Sequence, residues 1–258
     1  MTDFNKTYNE ELFPELSSYN RAINYPYFAP DYPFSFYKGR FVKDICFNLE
    51  NRIPILSVGS NRSPYQLKRK FSLDEDICVT PAKLFDSDIV YAASISAYGS
   101  LPATQWPSKD TIVDLNVIWL KEEQLNIMHL TEAVGIAYHF VKLKQGSVKL
   151  KDLEYSEDIY GYVSVAGVLP FNENVPKRLS AIGGSNIKLD SIDEYKALLL
   201  TMKILENKKQ NLNQWLTKII NNKKYRFKLH ENLKTIALKP KEPNWKIIKI
   251  KNNGNLII

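Results

Sequence analysis

Three residues at the end of an apolar run, Gly59, Ser60 and Asn61, could form a ligand-binding turn. Glycine reaches backbone angles that are closed to other residues, and asparagine tolerates the left-handed region. Successive amides in such a turn can point inward together and bind an anion or a carbonyl oxygen. The alternative is an ordinary tight turn between a strand and a helix, and these residues alone favour that interpretation.

A second candidate is Glu132, a carboxylate in an apolar neighbourhood. The segment around it includes Leu125, Met128, Ala133 and Val134. A carboxylate there lies either in water at the rim of a helix or partly out of water, where it can act as a general base. Because most glutamates are exposed, the local sequence alone favours the solvated position.

The remaining polar candidates are less specific. The segment YGSLPAT at 98–104 follows a strand candidate and is, taken alone, more typical of a loop than of a site. The histidines His129, His139 and His230 match no metal-ligand spacing, and no Asp, Glu or Cys completes one. Ser60 has no G-x-S-x-G context, so no Ser-His-Asp triad is indicated. The sequence therefore predicts no metal site.

Alternating strands and helices must position these residues. Apolar, β-branched and aromatic runs predict strands at 53–58, 89–97, 111–120, 138–143 and 160–168. Helices are predicted at 64–71, 121–131, 175–182, 191–205 and 213–220, the fourth with a capping box formed by Ser191 and Glu194. This arrangement is typical of a mixed α/β domain.

Both ends of the chain differ in composition from its centre. Residues 1–51 are rich in Tyr, Phe and Pro, and Pro26, Pro30 and Pro33 interrupt regular structure, which predicts an extended aromatic arm. Such an arm would cover either the main domain or a partner subunit, as in a homodimer. Residues 206–258 are basic, with weak strand signals at 235–238 and 246–250. We therefore predict an N-terminal extension at 1–51, a domain at 52–205 and a C-terminal extension at 206–258.

Composition limits the class of protein. Apolar residues make up 44% of the 258 residues, which is enough for a substantial core. No apolar run approaches the length of a membrane span, and the N-terminus lacks an apolar signal core, so we expect a cytoplasmic protein without membrane contact. Cys46 and Cys78 are most simply interpreted as buried or idle thiols. The net charge of +7 permits an anionic partner, but no nucleic-acid motif supports one.

Several motifs, taken in order, resemble the γ-glutamylcyclotransferase-like family. VGSNRSPYQL at 58–67 is similar to the family's glycine-serine-asparagine loop with its following helix. LPATQWPS and then TIVDLNVIWL are similar to an Ala-Thr segment that precedes a strand. LNIMHLTEAVGIAYHFVKL at 125–143 is similar to a helix that ends in the catalytic glutamate, followed by a Tyr-led strand. The resemblance covers about 53–205.

This resemblance implies a fold and an activity. The fold would be α+β, with a small mixed β-barrel and surrounding helices. The activity would be cyclisation of a γ-glutamyl amide to 5-oxoproline with release of an amine or amino acid, and no cofactor or metal is needed. The substrate would be a small molecule. The implied site residues are Glu132 as catalytic acid/base, and Val58, Gly59, Ser60, Asn61 and Tyr138 as substrate-binding residues.

Val58 departs from the family pattern, which usually has a tyrosine at this position. Its replacement would either redirect or abolish the activity. The sequence therefore leaves a second hypothesis, a non-catalytic member of the same fold that binds a ligand or a partner. A third hypothesis, nucleic-acid association, is favoured by charge alone.

Overall fold

Strands and helices are distributed along the whole described part of the chain. The computed structural model describes residues 16–37, 40–43, 49–72, 75–172, 174–206 and 210–250. Its strands are β1 (Phe34–Tyr37), β2 (Arg40–Lys43), β3 (Ile53–Ser57), β4 (Asp76–Tyr91), β5 (Ala103–Leu120), β6 (Tyr138–Leu143), β7 (Val148–Leu150), β8 (Tyr160–Ser164), β9 (Pro170–Asn172), β10 (Val175–Pro176), β11 (Arg178–Leu179), β12 (Gly184–Ser185), β13 (Ser191–Ile192) and β14 (Trp245–Ile247). Its helices are α1 (Ser18–Ile23), α2 (Pro64–Lys70), α3 (Glu122–Thr131), α4 (Glu194–Leu205), α5 (Leu212–Asn221) and α6 (Lys223–Ile236).

One mixed sheet contains twelve of these strands, in the order β13-β11-β4-β5-β3-β8-β6-β14 along its main path. The long strands β4 and β5 form its antiparallel centre, from Cys78 opposite Trp119 to Tyr91 opposite Ala103. The pairs β3–β8 and β11–β13 are parallel, which makes the sheet mixed. The α+β class expected from the sequence is therefore confirmed.

The sheet is not closed into a barrel, and this part of the expectation is wrong. Closure would require the outer edge of β6 to pair with a strand at the other side of the sheet. That edge is instead paired with β14, from Trp245 opposite Leu143 to Ile247 opposite Val141. The edge of β4 that faces away from β5 is likewise paired, with β1, β7 and β11. The backbone groups that closure would use are thus already bonded.

Two hydrophobic clusters flank the sheet. The larger contains buried residues of α4, α5 and α6, among them Leu198, Trp215 and Leu233. The smaller contains Leu67 of α2 and Met128 of α3, together with strand residues such as Ile55, Ile118 and Phe140. The smaller cluster matters most for the candidate site, because it fixes α2 and α3 against the end of β3.

Several boundaries differ from the sequence-based predictions. Residues 175–182, expected as a helix, form β10 and β11 and the turn after them. Helix α4 begins at Glu194 because Asp193, rather than Ser191, is its N-cap: Asp193 Oδ1 accepts a hydrogen bond of 2.8 Å from Lys196 N. Ser191 instead pairs with Arg178 in the sheet. Of the weak strand signal at 235–238, the first two residues end α6, and Leu238 forms an isolated antiparallel bridge with Val168.

The described part of the aromatic arm is more regular than expected. It contains helix α1, and Phe34–Tyr37 pairs antiparallel with β4, with Phe34 opposite Val79. Ala22 and Tyr25 belong to the larger hydrophobic cluster. The arm therefore packs on the same chain. The prolines occur after α1, where they leave these short elements intact.

Cys78 is buried and takes part in a disulfide bond, so its interpretation as an idle thiol is wrong. Cys46 lies outside the described residues.

Within the described ranges, no helix is both long enough and apolar enough to cross a membrane.

Candidate active site

A cavity of about 390 Å³ opens where the end of β3, helix α2 and the end of α3 meet the loop between β4 and β5. All residues that the sequence resemblance singles out line it: Val58, Gly59, Ser60, Asn61, Glu132 and Tyr138. The structure therefore brings together residues that are separated by up to eighty positions in the sequence. Their roles in catalysis and binding stay predictions.

Glu132 occupies the C-cap position of α3. Beyond it, Ala133 N donates to Leu130 O at 3.1 Å, and Val134 N donates to His129 O at 3.2 Å. This pair of hydrogen bonds is the Schellman pattern that ends many helices. Ala133 has a φ of 48°, in the left-handed region that glycine usually occupies there. The helix end, and with it the Cα of Glu132, is therefore fixed by backbone hydrogen bonds.

The Glu132 side chain points to the turn after β3 and to α2. Its Oε1 accepts a hydrogen bond of 2.9 Å from Asn61 Nδ2 and a charged contact from Lys70 Nζ. Only 13% of the Glu132 side chain and 7% of the Lys70 side chain are exposed. The carboxylate is thus largely out of water, and the ammonium group of Lys70 compensates its charge.

The sulfur of Met128 lies beside this ion pair. Asn61 Nδ2 is 3.5 Å and Lys70 Nζ is 3.4 Å from Met128 Sδ. Met128 is fully buried in the smaller hydrophobic cluster. One apolar residue of α3 therefore supports both partners of Glu132.

The turn that follows β3 is a single 3-10 turn, Ser60–Arg62. Arg62 N and Ser63 N donate to the carbonyls of Gly59 and Ser60, at 3.3 and 2.9 Å. Amides at the start of such a turn have no acceptor within it. The turn itself therefore leaves the amides of the residues before Arg62 available to a ligand.

Glycine is required at position 59 by a close approach. A Cβ there would lie 2.2 Å from the hydroxyl oxygen of Tyr25 and 3.3 Å from the Cβ of Ala103. The Gly59 φ of −128° is not in the left-handed region, so the close approach is the constraint that the contacts identify. The phenol of Tyr25, from the aromatic arm, occupies the space instead.

Two tyrosines bind the backbone of Ala103 on one wall of the cavity. Ala103 N donates to Tyr25 Oη at 2.8 Å, and Tyr138 Oη donates to Ala103 O at 3.3 Å. Burial raises the pKa of both phenols well above the ordinary value, and the charge of Glu132 adds to the effect at Tyr138. Both tyrosines are therefore neutral hydroxyl groups at physiological pH.

The loop between β4 and β5 forms another wall, with Tyr98 and Pro102 at the cavity. Glu194 of α4 holds this loop from behind: its Oε1 accepts a hydrogen bond of 2.7 Å from Leu101 N. Glu194 is buried, its Oε2 has no hydrogen-bond partner among the described residues, and burial raises its pKa well above 4.5. A buried carboxyl group thus anchors the loop whose segment the sequence alone favoured as an ordinary loop.

The histidines occupy different environments. His129 Nδ1 lies 2.8 Å from Tyr162 Oη and its ring packs edge-on against Phe140, while burial lowers its pKa to about 4. This supports a structural role for His129. His230 of α6 lines the cavity, and its pKa is lowered by burial and by Lys234. Among the described residues, no group of three His, Cys, Asp or Glu side chains could hold a metal ion.

Sequence reasoning missed Lys70 and Tyr25. The signal for Lys70 was present, since Gln66 and Lys70 are four residues apart on a predicted helix, share one face, and both line the cavity. Tyr25 carried no local signal beyond its aromatic neighbours. Its position depends on where the arm crosses the domain, which no periodicity reports.

Comparisons with known proteins give one match. No protein-family model and no curated protein matches the chain. Among solved structures, a chain described as "Gamma-glutamyl cyclotransferase" matches at 14% sequence identity and a TM-score of 0.34, over 79% of this chain and 95% of that one. Its description names the family that the sequence motifs resemble. At this TM-score the match carries no argument about activity, which depends instead on the geometry of the cavity.

Proposed function

We propose that the protein is a γ-glutamylcyclotransferase-like enzyme that converts a γ-glutamyl amide to 5-oxoproline and a free amine. One observation carries this proposal: a largely buried carboxylate, Glu132, is hydrogen-bonded to Asn61 of the glycine-serine-asparagine turn inside a cavity of small-molecule size.

The reaction begins at the α-amine of the substrate. Glu132 accepts a proton from the ammonium group, and the resulting amine attacks the γ-carbonyl carbon of the same molecule. A carbon–nitrogen bond forms and closes a five-membered lactam. The bond to the leaving nitrogen then breaks as Glu132 returns its proton to that nitrogen. The regenerated carboxylate takes the second proton from the positively charged ring nitrogen and passes it to the departing amine, which leaves as an ammonium ion. Because the attack is intramolecular, the main task of the protein is to hold the substrate in a folded shape.

The turn after β3 has the complementary role. Amides of Gly59, Ser60 and Asn61 would hold the carbonyl oxygen as negative charge develops on it. Tyr138, whose neutral hydroxyl donates to Ala103 O near Gly59, would contact the substrate from the wall beside the turn. Val58, at 9% exposure, contributes an apolar contact beside the turn.

The test is release of 5-oxoproline from a panel of γ-glutamyl compounds. We expect Glu132→Gln to reduce the rate by about 10²–10⁴-fold, the usual contribution of a general acid–base, while circular dichroism shows that the protein stays folded despite the loss of the anion beside Lys70. Glu123→Gln is the matched control, because Glu123 lies in the exposed first turn of the same helix. An unchanged rate in Glu132→Gln contradicts the catalytic assignment.

A second candidate function is ligand binding without turnover. Lys70 and Asn61 both contact Glu132 Oε1, so one oxygen of the proposed base is engaged in the unliganded protein. Val58 also replaces the tyrosine that the family resemblance expects. If no γ-glutamyl compound releases 5-oxoproline while one of them still binds saturably, this second function replaces the first.

A further inference from the structure

We propose that the Lys70–Glu132 ion pair recognises the zwitterionic end of an α-amino acid, with Lys70 binding its carboxylate and Glu132 its ammonium group. The proposal deepens the function above, on which it rests for the identity of the ligand. It makes Lys70 a specificity-determining residue of the cavity.

Both members of the pair retain unused hydrogen-bonding capacity. A lysine ammonium group has three donors, and Lys70 Nζ contacts Glu132 Oε1 and Met128 Sδ. One donor is left. Glu132 makes its hydrogen bonds through Oε1, and its Oε2 makes none with the described residues. A ligand can therefore contact both charges without breaking the ion pair.

The two unused groups are adjacent, and so are the charges of an α-amino acid. In a zwitterion, one carbon separates the ammonium nitrogen from the carboxylate. When such a group lies antiparallel to the ion pair, its ammonium meets Glu132 Oε2 and its carboxylate meets the third donor of Lys70. Each charge then has two opposite neighbours, which compensates its loss of water.

Lys70 and Glu132 are the only Asp, Glu, Lys or Arg side chains among the described residues that line the cavity. His230 also lines the cavity, and burial favours its neutral form. The cavity is therefore neutral overall and contains one local dipole. A ligand whose positive and negative groups are separated by one carbon fits this arrangement better than a simple amine or a simple carboxylate.

Three small amides test the proposal by calorimetric or NMR titration of the full-length protein. L-Glutamine has both charges, 4-aminobutanamide lacks the carboxylate, and glutaramate lacks the amine. We expect wild-type protein to bind L-glutamine about 10- to 100-fold more tightly than either analogue, the range for one hydrogen bond to a charged group. Equal affinities, or no saturable binding of L-glutamine, overturn the proposal without reference to any variant.

Variants then assign each charge. Lys70→Met should abolish the preference for L-glutamine over 4-aminobutanamide, and Glu132→Gln should abolish its preference over glutaramate. Lys83→Met is the matched control, since Lys83 pairs with Asp114 at 3.5 Å in an exposed position away from the cavity. An unchanged preference in Lys70→Met overturns the role of Lys70.

The outcome separates this inference from the catalytic proposal. Selective binding of L-glutamine, dependent on Lys70 but without 5-oxoproline release from any γ-glutamyl compound, supports the zwitterion site and contradicts the activity. Release of 5-oxoproline with equal affinity for L-glutamine and 4-aminobutanamide supports the activity and contradicts the zwitterion site.

Discussion

Two buried ion pairs in this protein differ in what they are bonded to. In the first, Arg178 Nε donates to both oxygens of Asp88, at 3.0 and 3.1 Å, and Arg178 Nη2 donates to Ile182 O at 2.7 Å. Asp88 Oδ1 also accepts from Ile89 N at 2.8 Å. In the second pair, Lys70 and Glu132 are supported by side chains only, and Glu132 Oε2 makes no hydrogen bond with the described residues.

Burial alone therefore does not identify a functional charge. The arginine and lysine side chains are each 7% exposed, yet one pair is bonded to the backbone around it and the other faces a cavity. A buried pair that is also hydrogen-bonded to the backbone around it holds elements together, here β4 and β11. A buried pair with an unused donor and acceptor beside a cavity can exchange contacts with a ligand. The following predictions test this distinction.

The largest loss of stability is expected at the Arg178–Asp88 pair. Arg178→Met leaves Asp88 as an uncompensated buried charge, so we expect a loss of about 3–5 kcal/mol in the free energy of unfolding. Urea unfolding followed by circular dichroism measures it, with Lys83→Met as the control at an exposed ion pair. A loss below that of the control would show that the buried pair contributes no more than a surface one.

Glu194 is a buried carboxyl group that pairs with no cation of the described residues, and its effect depends on pH. Its folded pKa is raised, so the folded state retains a proton in a range where the unfolded state is ionised. Its contribution to stability is therefore present in acid and declines as the pH rises from about 4.5. Glu194→Gln cannot ionise, and we expect its stability relative to wild type to increase between pH 5 and pH 8.

Chemical denaturation at several pH values measures this difference. Glu123→Gln, at an exposed position, is the control for the loss of one carboxylate. A relative stability of Glu194→Gln that stays flat or falls over the same range contradicts the assignment of a raised pKa to Glu194.

A smaller loss of stability is expected at the Lys70–Glu132 pair. Lys70→Met removes the cation beside Glu132, but Asn61 still donates to the carboxylate and the cavity admits water. We expect a loss of about 1–2 kcal/mol in the free energy of unfolding, between the values for exposed and fully buried pairs. Urea unfolding beside Arg178→Met provides the measurement. Equal losses in the two variants would contradict the distinction between the pairs.

The smallest effect concerns the backbone that presents Glu132. Ala133 has a left-handed φ of 48° at the residue after the C-cap, which costs an L-residue about 1–2 kcal/mol. Ala133→Gly relieves this strain at the expense of a more flexible unfolded chain. We expect a net gain of about 0.5–1 kcal/mol in thermal or urea unfolding. Ala137→Gly, outside the left-handed region, should destabilise the protein instead.

The sequence predicted local elements well where their signals were local. The strand at 138–143 and the helix at 121–131 follow from apolar and β-branched runs, and the structure has them within one residue. The helix predicted at 175–182 failed because this segment forms two short strands. Val175 pairs with the nearby Asn172, and Arg178 pairs with the distant Val90. Pairing partners far along the chain decide such segments, and single-sequence periodicity does not report them.

The candidate site was only partly predictable, because some of its residues lie in local motifs and others depend on long-range packing. Glu132 and the 59–61 turn stood out through the order of motifs, and the cavity contains both. Helical spacing placed Lys70 on one face with Gln66 but did not show that this face meets Glu132. The position of Tyr25 depends on how the arm packs against the sheet. Lys70 supplies the cationic partner of Glu132, and the sequence did not reveal that contact.

The Tyr25 hydroxyl, hydrogen-bonded to Ala103 and in contact with Gly59, means that a terminal segment supplies part of the cavity wall. A substitution at Tyr25 would therefore reshape this wall without changing the end of α3 that carries Glu132. For the proposed enzyme, ligand range and acid–base chemistry could then be engineered separately.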